Sequence, residues 1–113
     1  MTKLVKKFKT YDKLSHRDFN VAETIDLLML YNPTVFYSWG VERMTNFKDK
    51  GLLLKVNAHH HKEIVLIILA WNDTYFFYLM DSDVKVIKEL HMVYFDELQY
   101  KIDKAIEYID QYK

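Results

Sequence analysis

At 113 residues, half of them hydrophobic and 16% aromatic, the chain has the length and material for one self-sufficient core, which excludes a disordered or staple-dependent protein. Sixteen basic and sixteen acidic side chains cancel to a formal net charge of zero, which argues against a dedicated nucleic-acid binder. There is no cysteine, so disulfides, thiol catalysis and Cys-based zinc sites are excluded, and two glycines are too few for a phosphate-cradling loop.

The charge is unevenly spread. Residues 1–17 carry Lys3, Lys6, Lys7, Lys9, Lys13 and Arg17 against Asp12 alone, a balance of +5, whereas residues 96–113 balance at −2. The basic arm interleaves its cations with Leu4, Phe8 and Tyr11. Lys6, Lys7, Lys9, Lys13 and Arg17 suit phosphates, and Phe8 and Tyr11 suit base stacking, so nucleic-acid or anionic-membrane contact is one expectation. Leu4, Phe8 and Tyr11 also fall at i, i+4 and i+7, the spacing of a core-facing helix with a solvated lysine face, which is the preferred expectation. The first residues lack the apolar run of a signal peptide.

A helix is expected over 21–31. Asn20 is a suitable N-cap with Glu23 three residues on, and Val21, Ile25, Leu28 and Met29 recur at helical spacing before Pro33. Residues 34–40, TVFYSWG, fit a strand by their β-branched and aromatic content, but Asn32-Pro33 favours a short helix or irregular turn. Gly40 then leads into a first strand, VERMTNF, over 41–47.

Four more strands follow. A turn at 48–51 leaves Gly51 available for positive φ, and LLLKVNA alternates over 52–58. IVLIILAW, 64–71, is apolar on both faces, the pattern of a central strand; as the longest unbroken apolar run it is too short for a membrane helix. NDT at 72–74 turns into YFFYLM, and DSD at 81–83 turns into VKVIKELHMVY, 84–94. Short turns between successive strands imply an antiparallel meander. FDELQYKIDKAIEYIDQYK closes the chain as a helix, with Asp96 capping, Gln99 in the capping-box position, and Leu98, Ile102, Ala105, Ile106 and Ile109 in one stripe.

The expected fold is a single α+β domain over 1–113, a two-layer sandwich of about five antiparallel strands between an N-terminal and a C-terminal helix. Both faces of its central strands are apolar, so both need cover. The cover comes from the N-terminal segment through Leu4, Phe8 and Tyr11, from the two helices on opposite faces, or from a second copy in a homodimer.

His59, His60 and His61 invite a metal reading. On a strand, His59 and His61 share a face, but a catalytic zinc needs a third ligand, and His16, His91 and Glu63 all stand at uncommitted distances. The solvated end of a hairpin is the preferred reading, with no metal and no cofactor. WNDTY and YFDEL place carboxylates where a turn and a helix cap explain them, and Ser15, Ser38 and Ser82 lie in no nucleophile elbow. The leading expectation is therefore a small cytoplasmic interaction or accessory protein, without a reaction of its own. It would dock a protein partner or itself through an outer strand edge or an aromatic sheet face carrying Trp71, Tyr75, Phe76 and Tyr78. The alternatives are a nucleic-acid accessory protein using the basic arm and a metal-dependent enzyme built on His59 and His61.

Overall fold

The computed structural model describes residues 11–58, 60–83 and 85–106. Helices α1 (Val21–Leu30) and α2 (Pro33–Ser38) precede strands β1 (Arg43–Phe47), β2 (Gly51–Lys55), β3 (Ile64–Leu69), β4 (Tyr75–Met80) and β5 (Val86–Val93), and α3 (Leu98–Ile106) follows. A helical stretch at 11–14 comes before α1. The strands form one antiparallel meander in the order β1-β2-β3-β4-β5. The expected α+β architecture is the observed one.

Local chemistry sets most boundaries. The Asn20 side chain accepts the Glu23 N–H at 3.0 Å and opens α1. Asn32 does the same for Val35, with Pro33 at the first helical position, so residues 33–38 are a helix and not a strand. Lys48 and Asp49 take the two positive φ values of the β1–β2 turn, held by paired bonds between Asn46 and Asp49. Gly51, expected to serve that turn, instead lies in β2 opposite Phe47. A Cβ there would stand 2.9 Å from the Leu66 Cδ1 methyl, so any larger residue at this position must turn the Leu66 side chain aside.

The last strand starts later than expected and carries two register shifts, between Tyr75 and Phe77 and between Leu79 and Met80 on the facing strand. These irregularities roughen one sheet edge and leave Ile87 and Met92 exposed. β1 and β2 are also shorter than expected, their regular ladder running from Arg43 to Lys55, with single backbone bonds continuing at Glu42, Val56 and Ala58.

Both sheet faces are covered from within the chain. Leu52, Leu54, Val65, Ile67, Phe77 and Leu79 pack against Val21 and Leu28 of α1, Phe36 of α2, Trp39, and Leu98, Ile102 and Ile106 of α3. All three helices therefore share one face, and the expectation of terminal helices on opposite faces is overturned. The other face carries Leu66, Ile68, Tyr78 and Met80, and Tyr11 and Leu14 pack on it. Tyr11 meets Phe47 edge-on at 5.4 Å, and His16 meets Phe76 edge-on at 5.0 Å. The N-terminal segment thus supplies the second cover through Tyr11, while Leu4, Phe8 and the end of the apolar stripe at Ile109 lie outside the described residues.

Candidate functional site

Each residue expected to bind has a definite place, and they do not converge. Tyr75 is buried on the helical face, where its hydroxyl meets Thr24 Oγ1 at 2.8 Å. Burial, and secondarily the nearby Glu23 carboxylate, push its phenol above the usual tyrosine range, while the Thr24 bond works the other way. Phe76 and Tyr78 lie on the opposite face, and Tyr78 is also raised by burial, then by Glu89. Phe76 is sandwiched between His16 and His91, the latter stacked on it at 4.3 Å. Trp71 is exposed in the β3–β4 turn, not on a strand. An aromatic sheet face open to a partner is therefore not what these four residues make.

The basic arm is similarly divided. Lys6, Lys7 and Lys9 lie outside the described residues. Lys13 is exposed, Arg17 bonds the Asp73 carboxylate at 2.7 Å, and Tyr11 is buried in the core with its phenol raised by desolvation, so it offers no ring to a base.

The histidine loop is not a wholly wet hairpin end. Backbone pairing continues beyond β2 through Val56 N–H to Glu63 O and Ala58 N–H to His61 O. His61 is buried with Nε2 2.9 Å from the Ile64 carbonyl, and the His60 N–H donates to Ile106 O, which ties the hairpin to the end of α3. His59 lies outside the described residues, among which no three His, Asp or Glu side chains are grouped to hold a metal ion. An open cleft of about 450 Å³ at the start of α1 is lined by Asp18, Phe19, Asn20, Val21, Asn46 and Asp49, of which Asn20 caps α1 and Asn46 and Asp49 hold the turn.

A different surface stands out at the other end of α1. Gln99, expected in a capping box with Asp96, turns inward. Its Nε2 donates to Leu28 O at 2.7 Å and to Asn32 O at 2.9 Å, while the Glu97 carboxylate takes the Tyr94 N–H. Two carbonyl partners can be served only by the amide's NH₂ end. Leu28 O, in the last turn of α1, has no helical partner and takes one of these bonds, while Asn32 O, at the cap of α2, accepts the other beside the Phe36 N–H. The Trp39 indole donates to Asp103 at 3.0 Å, a second tie onto α3.

These ties bring the end of α1 beside the start of α3, and both present large apolar side chains to solvent. Leu30 is 71% exposed, Tyr31 62%, Phe95 64% and Tyr100 60%. On α1, Val21, Thr24 and Leu28 face the core, so Glu23, Asp26, Leu27, Leu30 and Tyr31, at i, i+3, i+4, i+7 and i+8, form the outer stripe. That stripe lines an open groove of about 360 Å³ with an apolar floor and two carboxylates on its rim. Neither carboxylate has an ion-pair partner among the described residues. From 18 to 42 the chain carries Asp18, Glu23, Asp26 and Glu42 and no lysine or arginine. Sequence reasoning missed this surface because α1 is apolar nearly all round, and its outward side is defined only once Thr24 is known to face Tyr75.

Comparison of the chain with protein-family models, with curated proteins and with solved structures returns no match.

Proposed function

We propose that this chain is a small accessory or regulatory protein that acts by binding another protein, without a reaction of its own. The docking surface is the aromatic corner of Leu30, Tyr31, Phe95 and Tyr100. The observation that carries this reading is the exposure of these four side chains, at the end of α1 and in the turn and first residues leading α3, two segments pinned together by Gln99. Exposed apolar residues on a fixed frame are what an interface core requires, since tyrosine and phenylalanine supply contact area at low conformational cost. Both sheet faces are occupied by the chain's own helices and N-terminal segment, which removes the alternative docking face. The absence of cysteine supports a reducing compartment such as the cytoplasm. Among the described residues no helix is long and apolar enough to cross a membrane.

The test places a photo-crosslinking phenylalanine analogue at Tyr31, at Phe95 and, as a control, at exposed Lys88 on β5. In the cell that makes the protein, discrete crosslinked products are expected from positions 31 and 95 and not from 88. Products equal at all three positions, or none, would remove the corner as the docking surface.

A further inference from the structure

The partner's chemistry can be argued from the charge around the groove, on the premise that the corner docks a protein. We infer that the outer groove of α1 receives a basic amphipathic helix of a partner protein. Its apolar side would seat on Leu27, Leu30 and Tyr31, and its lysines or arginines would meet Glu23 and Asp26.

Three observations converge. The groove is a helix's own outer stripe, so its ridges follow helical spacing and accept another helix between them. Its rim is acidic and unpaired, and the helical segment around it has no cation for 25 residues, from 18 to 42. The basic groups of α3, Lys101 and Lys104, do not line the groove, and Lys104 lies over the Tyr100 ring at 6.0 Å. A second copy fits poorly on the same grounds. A two-fold interface sets a patch against itself, so Glu23 and Asp26 would face their own equivalents across a desolvated surface. Opposite charge on the partner removes that repulsion and also speeds encounter at low salt.

The probe is a synthetic helical peptide of leucine and lysine at seven-residue spacing, and the control is the same peptide with glutamate for lysine. Each is titrated into the full chain by calorimetry, with amide shifts followed by NMR. The lysine peptide is expected to bind, with shifts confined to α1 and the start of α3, while the glutamate peptide does not. Because Leu30 is exposed, Leu30→Ser leaves the core intact, and it should weaken binding about tenfold. Glu23→Gln with Asp26→Asn should weaken it about three- to tenfold and flatten its salt dependence. Binding of the lysine peptide that ignores both variants would overturn the inference, as would no binding at low salt or a preference for the glutamate peptide. If any of these occurs while positions 31 and 95 still crosslink, the docking surface stands and only the basic partner falls. A chain that is dimeric before any peptide is added, and made monomeric by Leu30→Ser, would overturn the inference in favour of a second copy.

Discussion

Replacing Gln99 by leucine removes the tie on which the corner depends while keeping the side chain's size. Two hydrogen bonds are lost, at 2.7 and 2.9 Å, each worth about 1 kcal/mol net. Gln99 is buried, so the Leu28 carbonyl loses its donor where water enters poorly, which adds a desolvation cost, while the Asn32 carbonyl keeps the Phe36 N–H. A total of about 2–3 kcal/mol is expected. At about 2.1 cal/mol/K per residue, a chain of this length loses about 4 °C of Tm per kcal/mol, so the drop should be about 8–12 °C. Urea unfolding followed by circular dichroism checks the free energy, and calorimetry checks Tm. The m-value should not change, because the unfolded chain exposes the same surface. Asp96→Ala is the paired measurement. In a capping box it would cost about 1 kcal/mol, but with Gln99 facing inward it should cost less than about 0.5 kcal/mol. A cost below 0.5 kcal/mol for Gln99→Leu, or a larger cost for Asp96→Ala, would refute the reasoning.

Other changes have distinct signatures. Tyr75→Phe strands the buried Thr24 hydroxyl and should cost about 1–2 kcal/mol in urea unfolding, whereas Thr24→Val with Tyr75→Phe together should recover part of that loss. Gly40→Ala forces a side chain at φ +61° and brings Cβ to 2.9 Å from the Asn57 carbonyl oxygen, so Tm should fall by several degrees, about 1–2 kcal/mol in stability. Asp73→Asn breaks an exposed ion pair with Arg17 and should change stability by less than about 1 kcal/mol. Burial raises the phenols of Tyr11, Tyr75 and Tyr78 above 10.0, so the unfolded chain releases these protons first. Their contribution is whole below pH 10 and is lost as pH climbs through the folded values. Stability should therefore fall above about pH 10, and less steeply in Tyr78→Phe.

The elements were legible where local chemistry decided them. Asn20 announced one helix start, Asn32-Pro33 favoured a short helix or irregular turn over a strand at the second, and NDT marked the hairpin that delivers Tyr75. What local pattern could not carry was partnership across the fold. Gln99 stands three residues after Asp96, which reads as a capping box, yet the junction of α1 and α2 lies within its reach and offers the open Leu28 carbonyl and a second bond to the Asn32 carbonyl. β3 and β4 are apolar on both faces, so nothing in their alternation tells which side receives helices. The candidate site was hidden for the same reason. Leu27, Leu30 and Tyr31 read as more of α1's apolar surface, although the core takes Val21, Thr24 and Leu28 fully, Leu27 only in part, and leaves Leu30 and Tyr31 exposed. His61 looked like loop, but its ring folds back onto the Ile64 carbonyl.

The most direct measurement is the solution mass of the purified, untagged chain by light scattering, at micromolar and tenfold lower concentration. With both sheet faces covered internally and an acidic rim that repels its own kind, the expected mass is that of one 13.7 kDa chain at both concentrations. A dimer that persists on dilution, and that Leu30→Ser dissolves, would mean the corner is already filled by a second copy and would contradict a docking surface kept for another protein.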